Sequence, residues 1–246
     1  MNVTFIGSGD AFGNGGRFQT CLLLEQPSVD SVLIDCGATS LTALKAAGKE
    51  PNDVTTILLT HLHGDHFGGI PFFVLDGRFR RRERDLTIAG PPGTRERVER
   101  AMELLFPGSL SGRQRFEVRF VELKEPTQVG PAEVTSIAVE QPDTPACALR
   151  VEYGGSIVAY SGDTAWTDDL IGLTRGADLF IAEAYFFDRQ VPYHLDYATL
   201  KANEERLDCK RIVLTHMSPD MLVRQDEATF ECACDGMVVE LDPTNS

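Results

Sequence analysis

The chain has 246 residues, 42% of them hydrophobic, and a formal charge of −14 from 23 basic and 37 acidic side chains. That length and apolar content suit one α/β domain over residues 1–246 with a sizeable core, while the negative field argues against extended nucleic-acid binding. The start Met1-Asn2-Val3-Thr4 has no signal-peptide character and no run reaches the roughly eighteen apolar residues needed to span a bilayer, so a cytoplasmic protein without a membrane partner is expected.

Strand-like apolar runs occur at 3–6, 21–24, 32–34, 56–59 and 86–89, then at 116–121, 134–139, 148–153, 156–160, 179–182, 211–214 and 237–241. Helical spacing separates them. Val98, Ala101, Met102 and Leu105 recur on one face after the start signal Pro91-Pro92-Gly93-Thr94, and Tyr197, Leu200 and Leu207 share a face over 196–207. Arg78, Arg80, Arg81, Arg82 and Arg84 read as a solvated helix end or loop partly neutralised by Glu83 and Asp85; the sharper reading is a patch that draws in an anionic substrate. The six cysteines, scattered singly apart from Cys232 and Cys234, read as small core hydrophobes in a reducing compartment.

The densest chemistry lies in Thr60-His61-Leu62-His63-Gly64-Asp65-His66, directly after Ile57-Leu58-Leu59. On an extended backbone His61 and His63 point the same way, and a turn at Gly64 aims Asp65 and His66 elsewhere. Imidazole and carboxylate are ligands that zinc accepts. Downstream, Val158-Ala159-Tyr160 runs into Ser161-Gly162-Asp163-Thr164, and Ile212-Val213-Leu214-Thr215 delivers His216.

His-x-His-x-Asp-His after a strand, followed in order by these two elements, resembles the metallo-beta-lactamase superfamily. The resemblance covers nearly the whole chain and implies a four-layer αββα sandwich, two mixed sheets with helices outside. It implies that His61 and His63 hold one divalent metal, that Asp65, His66 and His216 hold a second, and that Asp163 bridges them. Zinc is the expected ion, with manganese or iron as alternatives. Two cations about 3.5–4 Å apart share a water, lower its pKa and stabilise charge at the attacked centre.

Glu183 in Ala182-Glu183-Ala184-Tyr185 and His194 in Tyr193-His194-Leu195 are similar to a Glu and a His of the ribonuclease Z branch, as is the loop Gly7-Ser8-Gly9-Asp10-Ala11-Phe12-Gly13. The branch implies Asp65, Glu183 and His194 as catalytic groups, the last two moving a proton to the leaving group. Two departures stand out. The loop Val139-Glu140-Gln141-Pro142-Asp143-Thr144-Pro145 lacks the metal histidine the family carries there; Glu140, a candidate ligand, or Gln141, a feeble one, falls nearest that position, depending on where a one-residue gap is placed. The stretch from Leu104 to Val134 is too short for the branch's transfer-RNA-gripping arm.

The expectation is therefore a metal-dependent phosphodiesterase-type hydrolase with one or two metals and a small or short anionic substrate. Tyr185, Phe186, Phe187 and Trp166 are its candidate pocket lining. The alternatives are an armless ribonuclease Z and a metal-binding domain with impaired catalysis. Relatives of this kind are often dimers, so a homodimer is one expected assembly.

Overall fold

The computed structural model describes residues 1–124 and 126–242. Its first half contains β1 (Asn2–Gly7), β2 (Cys21–Gln26), β3 (Val29–Ile34), α1 (Ser40–Ala46), β4 (Val54–Leu58), α2 (Gly64–Phe67), α3 (Ile70–Phe79), β5 (Leu86–Gly90), α4 (Thr94–Leu105) and β6 (Val118–Glu122). The second half contains β7 (Thr127–Val129), β8 (Ala132–Val139), β9 (Ala146–Tyr153), β10 (Ser156–Tyr160), α5 (Asp169–Leu173) and β11 (Leu179–Glu183). It ends with α6 (Tyr197–Ala202), β12 (Ile212–Thr215), α7 (Pro219–Val223), β13 (Glu231–Cys232) and β14 (Val238–Glu240). Every run expected from the sequence overlaps a strand; the short β7 and β13 were not expected.

Alternating side chains in these strands go to different cores. Val3, Phe5, Leu22, Leu24, Val32, Ile34 and Leu58 join Leu149, Val151, Tyr153, Val158, Tyr160, Leu179, Ile181 and Val213 in one buried cluster. Their neighbours Cys21, Leu23, Leu33, Ile57 and Leu59 face the opposite way, onto α1, α3 and α4. On the other sheet Ala148, Ala159, Phe180, Ala182 and Leu214 pack outward with Leu170, Leu200 and Met221 from α5, α6 and α7. A period of two with both faces covered gives near-continuous apolar runs and a four-layer sandwich. This is the expected αββα architecture. Replacing a residue buried between the sheets, such as Leu149 or Ile181, by alanine should cost about 2–5 kcal/mol.

Each sheet has seven strands, ordered β14-β1-β2-β3-β4-β5-β6 and β13-β12-β11-β10-β9-β8-β7. Both are mixed. β3, β4, β5 and β6 run parallel, as do β10, β11, β12 and β13, and the remaining neighbours pair antiparallel. The carboxyl ends of β3, β4, β10, β11 and β12 gather at one edge of the sandwich, where open α/β sheets place their sites. The Cys147 N–H donates to the Thr60 carbonyl at 2.9 Å and ties the two sheets together there.

Three local readings gain detail. The helix expected over 196–207 stops at Ala202 and gives way to a tighter turn at Glu204–Arg206, leaving Leu207 only half-buried. Its start is fixed by Asp196, whose Oδ1 accepts the Thr199 N–H at 2.8 Å. The arginine run is partnered within the protein: Arg80 pairs with Glu50, Arg84 with Asp30, and buried Arg82 donates to the carbonyls of Pro51, Val54, Arg84 and Asp85. Arg82 alone of the run is buried; Arg80, Arg81 and Arg84 are exposed just past the end of α3, as the solvated helix-end reading expects. Finally, Cys21, Cys36 and Cys147 are core residues, but Cys209 and Cys232 are half-buried and Cys234 is exposed. No helix among the described residues is long and apolar enough to cross a membrane.

Candidate metal centre

β4 ends at Leu58, and Leu59-Thr60 carries the chain over the sheet edge to His61. The backbone is still extended at His63, then turns at Gly64 into α2. The rings of His61 and His63 lie 4.6 Å apart, with His61 Nε2 3.0 Å from His63 Nδ1. The turn reverses Asp65 and His66 toward the second sheet. Close packing makes this possible: a Cβ on Gly37 would sit 1.9 Å from the Asp65 carbonyl oxygen.

The second half supplies the partners. Asp163 follows β10 after Gly162, which adopts a left-handed φ of 58°. His216 follows β12 and is itself left-handed at φ 57°, a conformation non-glycine residues hold only when surroundings over-determine it. Asp65, His66, Asp163 and His216 each offer a ligand atom within 4.8 Å of the others. His66 Nε2 lies 3.1 Å from Asp65 Oδ2 and 3.5 Å from Asp163 Oδ1. His216 Nε2 lies 3.4 Å from Asp65 Oδ2 and 3.5 Å from Asp163 Oδ2.

One carboxylate here was missed in the sequence. Asp35, fully buried after β3, accepts the Thr60 N–H at 2.9 Å and the Thr60 hydroxyl at 2.9 Å, and its Oδ2 lies 2.8 Å from His66 Nδ1. Its φ of 58° is also left-handed. Occupying Nδ1 leaves His66 Nε2 free to point into the cluster, the arrangement typical of a metal-ligating histidine. A lone acid directly after Val32-Leu33-Ile34 was the available signal.

His66 Nε2 and Asp163 Oδ1 are buried without a hydrogen-bond partner. Such atoms are costly unless they serve a ligand. Two imidazole nitrogens and two carboxylates around one point suit a divalent metal ion, so the residues present fit the group the fold implies. His61 and His63 do not join either ligand-distance group found among the described residues; His61 Nε2 comes within 4.0 Å of Asp163 Oδ2. Glu140 is exposed and also belongs to neither. Its neighbour Gln141 turns inward instead, donating from Nε2 to the carbonyls of Asp163 at 2.9 Å and Tyr193 at 3.3 Å. The loop without a histidine thus tethers the backbone beside Asp163.

The second ligand-distance group is Asp163, Glu183, His194 and His216. Glu183 ends β11 fully buried, and its Oε2 accepts the backbone N–H groups of Thr164 at 3.1 Å and Leu195 at 3.2 Å. Its Oε1 lies 2.5 Å from His194 Nδ1, and the His194 side chain is 29% exposed. Glu183 Oε1 also lies 3.3 Å from His216 Nδ1, so the carboxylate links His194 to the first cluster. Tyr185 stacks on His194 with ring centroids 4.9 Å apart. Of the other aromatic candidates, Phe186 is buried under Arg189, Phe187 packs against Tyr197 and Arg224, and Trp166 against Asp168 and Arg206.

Electrostatics divide the histidines. Burial, reinforced by neighbouring His66, holds His61 well below the usual imidazole range. Burial pushes His66 and His216 the same way, but the surrounding carboxylates, Asp163 first, overcome it and raise both well above that range. Burial would raise Asp65 and Asp163, yet the adjacent histidines hold both far below the carboxylate range. Both shifts favour the protonated imidazoles of His66 and His216 in the metal-free protein. Metal uptake must release those protons, so affinity should fall as pH falls. Calorimetry in buffers of different ionisation heat should show about one to two protons released per metal near pH 7. Affinity independent of pH between about 6 and 8 would contradict this assignment.

Known proteins share this frame. Residues 1–233 match the family described as Anti-Pycsar protein Apyc1. A ribonuclease Z from Methanothermobacter thermautotrophicus is 41% identical over 104 residues, 42% of this chain and 34% of that protein. One from Mycobacterium bovis is 28% identical over 253 residues, covering 92% of this chain and 89% of the relative. The short form of human tRNase Z superposes with a TM-score of 0.80 at 26% identity, over 98% of this chain and 100% of that one. The metallo-beta-lactamase fold protein YhfI from Bacillus subtilis gives 0.80 at 24% identity, over 98% and 99%. The chain belongs to the Anti-Pycsar protein Apyc1 family, within the ribonuclease Z-like branch of metallo-beta-lactamase-fold hydrolases.

Proposed function

We propose that the protein is a metal-dependent phosphodiesterase acting on a small or short anionic substrate, with zinc the expected metal and manganese or iron able to replace it. The observation that carries this reading is the Glu183–His194 pair set beside the unpartnered ligand atoms of His66 and Asp163. A divalent ion bound among Asp65, His66, Asp163 and His216 would supply Lewis acidity and lower the pKa of water. Asp65, kept ionised between His66 and His216, orients the attacking water as a hydrogen-bond acceptor. Glu183 raises the pKa of His194 against the opposing effect of burial, so His194 carries a proton for the leaving oxygen.

That role predicts a specific defect. His194→Gln should lower kcat about 100-fold while metal content stays at the wild-type level. The loss should be larger for an alkoxide leaving group than for p-nitrophenolate, which needs little protonation. Equal losses for both leaving groups would remove His194 from proton transfer.

A second reading, a transfer-RNA 3′ endonuclease, is favoured by the ribonuclease Z relatives that span most of the chain and by the likeness to human tRNase Z. Against it stands the stretch 104–134. Its described residues form the end of α4, a turn at Ser109–Ser111, β6, β7 and the start of β8, with no protruding arm. Metal analysis combined with turnover of bis(p-nitrophenyl) phosphate and of precursor transfer RNA separates the readings. Small-diester turnover without precursor cleavage supports the first. Precursor cleavage that disappears in His66→Ala supports the second, and inactivity toward both at every divalent-metal loading sinks both. A homodimer is part of the same proposal, tested by sedimentation of the metal-loaded protein.

A further inference from the structure

The four residues gathered between β10, β12 and the loop after β4 stand at distances set by one ion. Ligand atoms about 2.1 Å from a tetrahedral ion lie about 3.4 Å from one another. His66 Nε2 is 3.1 Å from Asp65 Oδ2 and 3.5 Å from Asp163 Oδ1; His216 Nε2 is 3.4 Å from Asp65 Oδ2 and 3.5 Å from Asp163 Oδ2. His66 Nε2 and Asp163 Oδ1 are also buried without a hydrogen-bond partner, a cost that a bound cation removes.

The His61–His63 pair meets neither condition. His61 is fully buried, yet both of its ring nitrogens have partners: Nδ1 lies 3.1 Å from the Thr60 hydroxyl and Nε2 3.0 Å from His63 Nδ1. The Thr60 hydroxyl donates to Asp35 at 2.9 Å, so toward His61 its oxygen accepts the Nδ1 proton. That leaves His61 Nε2 as the acceptor for the Nδ1–H of His63. The pair is satisfied within itself.

It also lacks a third ligand. Among the described residues no His, Cys, Asp or Glu atom completes a ligand-distance group with His61 and His63. Asp163 Oδ2 is 4.0 Å from His61 Nε2 but only 3.5 Å from His216 Nε2, so it belongs first to the other cluster. The loop between β8 and β9 adds nothing: Glu140 is exposed, and Gln141 donates its amide to the carbonyls of Asp163 and Tyr193. Two imidazoles and a share of one carboxylate hold a cation more loosely than two imidazoles with two carboxylates.

We infer that the protein is a single-ion centre. One divalent cation is held by Asp65, His66, Asp163 and His216, and His61 and His63 bind each other in place of a second ion. A second ion should bind at least about 100-fold more weakly. The argument rests on ligand geometry and is independent of the ester cleaved. For the phosphodiesterase reading it has one consequence: with no second cation at the leaving oxygen, the proton on His194 is the main stabilisation there.

The test counts ions. The purified chain, loaded with excess Zn²⁺ and dialysed against metal-free buffer, should retain one zinc per chain by elemental analysis. Titration with up to two equivalents of Mn²⁺ should give the electron paramagnetic resonance spectrum of isolated ions. The exchange-coupled signal of two ions about 3.5–4 Å apart should be absent. His63→Ala should keep its one zinc with the wild-type Kd, whereas His66→Ala should lose it. Retention of two zincs or of none by the wild type, a coupled manganese signal, or loss of zinc from a His63→Ala protein with wild-type circular dichroism would overturn the inference. The wild-type count stands whether or not either variant folds. If no diester is turned over, the phosphodiesterase reading fails alone and the count still decides the single-ion assignment.

Discussion

Asp163→Asn should reduce kcat/KM for bis(p-nitrophenyl) phosphate by at least about 1,000-fold, with metal content falling alongside. The exchange keeps the shape of the side chain and removes its charge. Asp163 is the carboxylate approached by the most imidazoles: its oxygens lie 3.5 Å from His66, 3.5 Å from His216 and 4.0 Å from His61. Its backbone is independently held by Gln141 at 2.9 Å, so the amide variant should keep its position. An amide can offer one neutral oxygen to a cation and cannot balance the positive charge favoured on His66 and His216. In the metal-free protein the loss of this carboxylate should also lower the pKa values of His66 and His216, so fewer protons are released when metal is added. Elemental analysis, steady-state turnover and proton release report on the same substitution. Wild-type turnover in Asp163→Asn would show that the cluster is not the reaction centre.

Substituting Asp35 tests the cluster from behind. In Asp35→Asn the amide oxygen can still accept from Thr60, but its NH₂ group then faces His66 Nδ1, which lies 2.8 Å from Asp35 Oδ2. That contact favours the tautomer with the proton on Nε2, the atom that points into the cluster. Metal affinity should fall about 10–100-fold although no ligand has been altered. Asp35→Ala should cost more in stability, about 3–5 kcal/mol, because it leaves the Thr60 N–H and His66 Nδ1 unpaired in a fully buried site, with the Thr60 hydroxyl keeping only its contact to His61 Nδ1. Metal titration and thermal unfolding of the two variants separate the effects. An Asp35→Asn protein that binds metal like wild type would show that His66 is oriented without Asp35.

The strands and the ligand loop were readable because both depend on local order. Both faces of each sheet are covered, so runs such as Val32-Leu33-Ile34 and Leu179-Phe180-Ile181-Ala182 stand out, and polar residues that interrupt them at a carboxyl end mark the site edge. Two of the four edge strands escape this logic: β7 and β13 have three and two residues and are paired on one side only. Asp35 escaped for another reason. It reaches His66 across 31 positions, through the parallel pairing of β3 with β4, and spacing along the chain carries no trace of that. Glu140 shows how a one-position ambiguity matters in extended chain. Alternation turns Glu140 outward and Gln141 inward, so the residue with the better donor is the one that faces solvent. The arginine run illustrates the limit of composition, since partners as distant as Asp30 and Glu50 neutralise what looks like a basic patch.

The pairing of β1 with β14 has a consequence for how the molecule is made. Asn2 lies opposite Glu240, and the Met1 ammonium donates to the Leu241 carbonyl at 2.8 Å across 240 positions. β1 is made before every other described strand and β14 after them, so until β14 emerges β1 carries an open row of backbone donors and acceptors. The ligand set is likewise incomplete until His216 emerges. A nascent chain therefore carries an open edge and an unfinished ion site until β12 and β14 have both emerged. An open strand edge of that kind is a template for misassociation between neighbouring nascent chains.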